Sequence, residues 1–333
     1  MKRRDLLNTG VWALAGLYPV AAIAQQPERM RRVGVLMPFA QNDPFSQSLA
    51  STFTQALGSF GWLEGKNIQI DYRFAAGNPT LYKSYAAELV GLLPSAILAS
   101  TPPAIAAVQE QTRTIPVVFV LVIDPVGQGF VQSLARPGGN ITGFGSFEAP
   151  LMGKWLQLLK EVAPDVTQAA VLFNPGTTPA VLLNMVKRVT EAAAPSLGMA
   201  ITLAPVRDDA AIEDAVVAQA RQPGGGLLSL PDSFTASHRD VIIAAAARHR
   251  LPLIGASEAF PRSGALMSYF FDVADVYARA ASYIDRILRG ANPSELPVQQ
   301  PAKFSLVINL KTAKALGLTV PHSLLQRADE VIE

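Results

Sequence analysis

The sequence predicts an α/β protein built as two doubly wound, parallel-sheet lobes with a cleft between them. Three observations predict it. Apolar runs of strand length alternate with helical stripes from residue 33 to the end, the same rhythm restarts after residue 150, and 333 residues exceed one ordinary domain.

The elements follow in order. Val33-Gly34-Val35-Leu36-Met37 reads as a short buried strand. Phe45, Leu49, Phe53, Leu57 and Phe60 then recur at three- or four-residue spacing, an amphipathic helix that Gly61 stops. Glu64-Gly65-Lys66-Asn67 is a turn before the strand Ile68 to Tyr72, and Leu81, Tyr85, Leu89 and Leu92 form the next helical stripe. The strand Ala96 to Ala99, a short helix through Ile105 and Val108, and the strand Pro116 to Val120 complete the first half. Strand–helix–strand repetition with right-handed crossovers gives a parallel sheet covered on both faces. In the second half, a helix around Trp155, Leu158 and Leu159 precedes the strand Ala169 to Phe173. Helices at 179–194, 208–221 and 238–248 alternate with strands at Ala200 to Leu203, Gly226 to Leu230 and Leu251 to Ile254. The glycine-dense stretch Gly139 to Gly145 between the halves suits a crossover or hinge.

The N-terminus predicts export. Lys2, Arg3 and Arg4 give a positive start, Val11 to Ile23 an apolar run, and Ala22-Ile23-Ala24 a small-residue cleavage site. Residues 1–24 are therefore expected to leave as a signal peptide, and the mature chain to begin near Gln25 in the periplasm. The apolar run is short for a bilayer span. Arg3-Arg4 hints at twin-arginine export, although Asp5 stands where that signal wants a large apolar residue. Without residues 2–5 the basic and acidic side chains balance at 25 each, so no nucleic-acid or anionic-membrane footprint is expected. Zero cysteines exclude disulfides, thiolate metal sites and a lipidated cysteine.

Ligands of open parallel sheets bind beyond the carboxyl ends of the strands. That rule selects Pro38 to Ser46, Ser100 to Ala104, Leu121 to Gly127, Asn174 to Pro179 and Pro231 to Ser237. Within these loops Ser100 and Thr101 are either carboxylate donors at a helix start or simple caps. Asp124 is either an amine partner or the first residue of an Asp-Pro turn. Phe39 and Phe45 stack on a ligand or pack the core, with Phe45 already on the helical stripe. Asn174, Asp232 and Glu258 follow second-half strands as polar contacts, and Ser268 and Tyr269 are further candidates, Tyr269 offering both a ring and a hydroxyl.

Catalytic patterns are absent from the sequence. His238, His249 and His322 lack metal-ligand spacing, and Gly143-Phe144-Gly145-Ser146-Phe147 fails as a nucleophile elbow at Glu148. No phosphate-cradling Gly-x-x-x-x-Gly-Lys run occurs. No cofactor and no metal are expected.

Several stretches resemble the ABC-transporter substrate-binding family that includes tryptophan-binding TrpX-like proteins. They are Gly61-Trp62 with Glu64 to Asn67, Asp124 to Gly127, Leu134 to Gly143, Leu296 to Pro301 and Asn309 to Gly317. The resemblance implies a type I periplasmic binding protein whose lobes are joined by a three-segment hinge. It places residues 31–144 and 272–291 in lobe 1, and 145–271 and 292–333 in lobe 2. It further implies a monomer that delivers a small solute to an ABC importer permease. The expected solute is an amino acid, aromatic or not, or a related organic acid. Its carboxylate would meet Ser100-Thr101, its amine Asp124, and its body Phe39 and Tyr269. Phe270 departs from the family, which commonly has glycine there, so an aromatic is expected near the cleft or the backbone takes another path. An exported hydrolase-like enzyme working in the same cleft is the alternative. A sugar-responsive transcription regulator shares the bilobal shape but lacks support, since no basic helix-turn-helix segment precedes the first strand.

Overall fold

Alternation along the first strand explains why its sheet must be covered twice. In β1 (Arg31–Met37), Val33, Val35 and Met37 enter one apolar cluster while Leu36 enters another on the opposite face. The computed structural model describes residues 30–146 and 149–333, so the export-signal reading of residues 1–24 lies outside the described residues.

Lobe 1 continues through α1 (Pro44–Ser59), β2 (Ile68–Phe74), α2 (Pro79–Gly91), β3 (Ala96–Ser100), α3 (Pro102–Gln111), β4 (Val117–Val122) and β5 (Ile141–Gly145). The sheet order is β2-β1-β3-β4-β5, parallel throughout. Asp43 and Asn78 cap α1 and α2 through side-chain acceptors, each followed by proline at the first helical position. The buried face of α2 is Tyr82, Ala86 and Leu89; of the stripe read from the sequence Leu89 falls on it, while Leu81 and Tyr85 lie one residue round. Small Ala86 sits at the centre of that face, and the larger Leu81 and Tyr85 pack at its edge.

Lobe 2 runs α4 (Ala149–Val162), β6 (Gln168–Phe173), α5 (Ala180–Ala193), β7 (Ala200–Pro205), α6 (Asp209–Ala220) and β8 (Gly225–Ser229). It continues with α7 (Ser233–Ser237), α8 (Arg239–Arg248), β9 (Leu253–Gly255), α9 (Ala259–Arg262) and β10 (Met267–Phe271). Then α10 (Val273–Leu288) packs back on α1, before β11 (Phe304–Asn309), α11 (Leu310–Leu316), α12 (His322–Leu325) and β12 (Glu330–Ile332) finish the chain. The second sheet is ordered β12-β11-β10-β9-β8-β6-β7, and only the β10–β11 pair is antiparallel.

Two anchors fix α10 on the first lobe. The Tyr277 hydroxyl lies 2.6 Å from Ser100 Oγ deep under the sheet, and Trp62 Nε1 donates to Asp285 Oδ1 at 2.8 Å. Burial pushes the Tyr277 hydroxyl well above the ordinary phenol range. Three segments cross between the lobes: after β5, after β10, and on the return from α10. They are bonded to one another, with Gly145 N donating to Gln299 O, Gln299 N to Gly143 O, and Asp272 N to Lys303 O.

The glycine-dense stretch read as a crossover or hinge is mostly the buried edge strand β5, and the crossing comes just after it. Gly143 is required there because an added Cβ would fall 2.1 Å from the Phe119 carbonyl oxygen. Gly143→Ala is expected to lower unfolding stability by about 1–3 kcal/mol, the range for forced overpacking. A denaturant midpoint unchanged from wild type would show that β5 can shift at no cost.

Candidate functional site

Both sheets point their carboxyl ends at a cleft whose space, counting the part open to solvent, is about 690 Å³. All five loops selected from the sequence reach it: Phe39 and Phe45 after β1, Thr101 after β3, Ile123 after β4, Thr177 after β6, and Asp232 after β8. Its walls are chiefly apolar. Phe39 and Phe45 meet edge-on with ring centroids 5.5 Å apart. Phe270 and Phe271 line the side nearest the crossing segments, with centroids 4.0 Å apart, and Phe260 closes the second-lobe floor. Phe270 therefore enters the cleft, the first of the two outcomes expected for it.

Asp232 organises the second-lobe wall. Its Oδ1 accepts from Phe234 N, Thr235 N and Thr177 Oγ1, and its Oδ2 from Asn174 N and Thr178 Oγ1, all within 3.0 Å. Burial pushes this carboxyl up, and hydrogen bonds from Thr235, Asn174, Thr178 and Thr177 pull it back. The carboxylate caps α7 and pins the loop after β6, so its bonding capacity is committed inside the protein.

The lobes touch directly at the mouth of the cleft. Arg239 at the start of α8 grips Asp43 at the cap of α1 with two parallel bonds, Nη1 to Oδ2 at 2.6 Å and Nη2 to Oδ1 at 2.9 Å. Both side chains are largely buried, 8% and 10% exposed. Beside them Ser237 Oγ donates to the Pro38 carbonyl at 3.4 Å. Gly77, at φ +70°, comes so near α7 that a Cβ would meet the Ser233 carbonyl oxygen at 3.0 Å. This is a closed arrangement, held by a bidentate ion pair whose members lie 196 residues apart.

Of the site candidates read from the sequence, Phe39, Phe45, Thr101 and Asp232 line the cavity. The others lie off its lining. Ser100 is fully buried and bonded to Tyr277. Asp124 is exposed, in a positive-φ turn, with Oδ1 accepting from Gly127 N at 2.8 Å. Asn174 Oδ1 accepts from Gly176 N, shaping its own loop. Glu258 pairs with Arg262 at 2.9 Å, one residue from the lining Ser257, and burial pushes its carboxyl up. Ser268 and Tyr269 belong to β10, where side chains alternate between faces. Ser268 is buried deeper along the strand, and Tyr269 turns away to stack on Phe304 at 6.0 Å. Sequence reasoning missed Phe260, Ser146, Ser257 and the Asp43–Arg239 pair. Asp43 in Asn-Asp-Pro was readable as a cap but not as an ion-pair partner.

Among the described residues, no cluster of His, Asp and Glu could hold a metal ion, and no helix is long and apolar enough to cross a membrane. The model of the family described as ABC transporter substrate binding protein matches residues 35–332. The chain belongs to that family. As a substrate-binding protein it works on a small-molecule solute with an ABC transporter permease, and the hydrolase-like alternative is set aside. A tyrosine-binding protein of Clostridioides difficile is 25% identical over 267 residues, 80% of this chain and 75% of that one. A crystal structure of a conserved domain protein from Vibrio cholerae is 31% identical, with TM-score 0.83 over 91% of this substrate-binding protein and all of the other chain. The fold is shared with an ABC domain from Streptococcus pneumoniae in complex with L-Trp, at TM-score 0.82 and 23% identity over 91% and 100% of the two chains. These likenesses agree with the type I, two-lobed architecture.

Proposed function

We propose that the mature chain is a periplasmic solute-binding protein of an ABC importer that closes on a small organic solute with an aromatic body. The carrying observation is the interlobe cavity walled by Phe39, Phe45, Phe260, Phe270 and Phe271. A ring buried there gains about 1.5–3 kcal/mol from leaving water and about 0.5–1.5 kcal/mol from each well-placed aromatic contact. The relatives' descriptions support the same class, one naming tyrosine and the other L-Trp. An aromatic amino acid or related compound is thus the leading solute. The basic, then apolar N-terminus supports export. Solute that touches both lobes binds the closed state better than the open one, and that difference is the whole mechanism.

A melting-temperature screen of the chain from Gln25 onward tests this, using aromatic amino acids, aromatic acids and alcohols, sugars and nucleosides. A true solute at about 100 times its dissociation constant adds about 2.7 kcal/mol of stability. Stabilisation by sugars alone, with every aromatic compound silent, would overturn the aromatic reading.

A further inference from the structure

One spot in the cavity wall holds hydroxyl groups that the protein leaves unsatisfied. Thr101, Ser233 and Tyr82 are 9%, 2% and 1% exposed, and none of their hydroxyls makes a well-formed hydrogen bond to another described residue. Thr101 lines the cavity from the first lobe and Ser233 from the second. Tyr82, on α2, is off the cavity lining but close to both: burial pushes its hydroxyl up to about 12, and weak hydrogen bonds with the Thr101 and Ser233 hydroxyls act against that rise without satisfying the three groups. A buried polar group left without a good partner costs about 1–3 kcal/mol, so three poorly satisfied hydroxyls at one place favour a polar group from outside the protein that bonds them better than they bond one another.

The charge of that group follows from its surroundings. Among the described residues no Lys or Arg side chain lines the cavity. Pro102 and Pro103 open α3 without N–H groups, and the N–H of Thr101 is given to the Val120 carbonyl. The first N–H of α3 is therefore that of Ala104, which is off the cavity lining, and the Asp232 carboxylate is close enough to raise Tyr82. A carboxylate placed here would be buried without a cation. An ammonium would find the Asp232 oxygens already holding five donors. A neutral hydroxyl, which both donates and accepts, matches three hydroxyls that do the same.

We propose that Tyr82, Thr101 and Ser233 form a hydroxyl-reading subsite, and that the solute is a hydroxylated aromatic whose O–H enters it. The inference rests on the aromatic-solute reading above. It places the ring against Phe39, Phe45 and Phe270, and it makes recognition of the hydroxyl depend on both lobes being closed, since Ser233 arrives with the second.

Titration calorimetry with matched pairs tests it: L-tyrosine with L-phenylalanine, tyrosol with 2-phenylethanol, and 4-hydroxyphenylacetate with phenylacetate. Each pair differs only in the phenol. In any pair that binds, the hydroxylated member should bind at least about tenfold tighter, because its analogue leaves buried hydroxyls unpaired. Ser233→Ala and Thr101→Val should each reduce that preference about threefold or more while leaving the analogue's affinity near wild type. Tyr82→Phe, which keeps the ring and removes only the oxygen, should do the same with a melting temperature at or above wild type in the absence of solute. Equal binding within every binding pair, or a preference that all three variants retain, would overturn the subsite and leave the aromatic reading standing. Silence from all six compounds would overturn the aromatic reading itself, and the subsite with it.

Discussion

Arg239→Ala is expected to weaken solute binding by about 100- to 1000-fold while leaving each lobe folded. The reason is the state in which the cost falls. In the closed form Asp43 would lose both guanidinium bonds yet stay largely buried, and stranding one member of a buried pair costs about 3–5 kcal/mol. In the open form the same carboxylate reaches water, so the penalty bears on closure alone. Small-angle scattering at saturating solute should therefore show a larger radius of gyration than wild type. Because the pair is sheltered, added salt should mimic little of this effect. The double variant Asp43→Asn with Arg239→Leu separates the ion pair from mere contact. It leaves no stranded charge, and the introduced amide oxygen would still cap α1 by accepting from Phe45 N. Its affinity should recover part of the loss, giving a clear coupling in a double-mutant cycle. Additive losses, or wild-type affinity for the single variant, would remove the pair from closure.

That pair also marks where sequence reading ran out. The strands were legible because buried parallel strands are short apolar runs, and β1, β3 and β6 fall within a residue or two of their expected bounds. The loops at the cleft were legible for the same reason, since a parallel sheet dictates which strand ends face the ligand. Which polar residues in those loops face inward was not. Asp124 and Asp232 both follow strands and both looked like contacts, yet one folds over its own turn and the other binds the protein's own donors. Short polar side chains choose between ligand and local backbone by angles that spacing does not encode. Tyr82 was hidden differently: large residues at 81 and 85 drew the helical stripe one residue away from the buried face. Nothing in the sequence singled out Arg239 or linked it to Asp43, and only the approach of two lobes puts them together. Phe270 was conspicuous through a departure from the family pattern, and it does line the cavity.

Asp232→Ala should be the most destructive single change in the second-lobe wall, lowering unfolding stability by about 3–5 kcal/mol. The backbone N–H groups of Asn174, Phe234 and Thr235 and the hydroxyls of Thr177 and Thr178 would all lose their acceptor inside the protein. Each stranded group is worth about 1–3 kcal/mol, with relaxation and entering water returning part of the sum. Asp232→Asn should be milder, and its geometry says which way the amide will turn. Three donors, two of them backbone, converge on Oδ1, whereas Oδ2 serves one backbone donor and the Thr178 hydroxyl. The amide nitrogen therefore takes the Oδ2 position, where the Thr178 hydroxyl can rotate to accept and only Asn174 N is left facing a donor. Chemical denaturation should rank wild type above the asparagine variant, and that variant above alanine. Solute affinity should follow the same order, since Thr177 and Ser233 line the cavity on either side of this carboxylate. An alanine variant within about 0.5 kcal/mol of wild type, the level of an ordinary surface substitution, would show that the loop after β6 and the start of α7 hold their places without it.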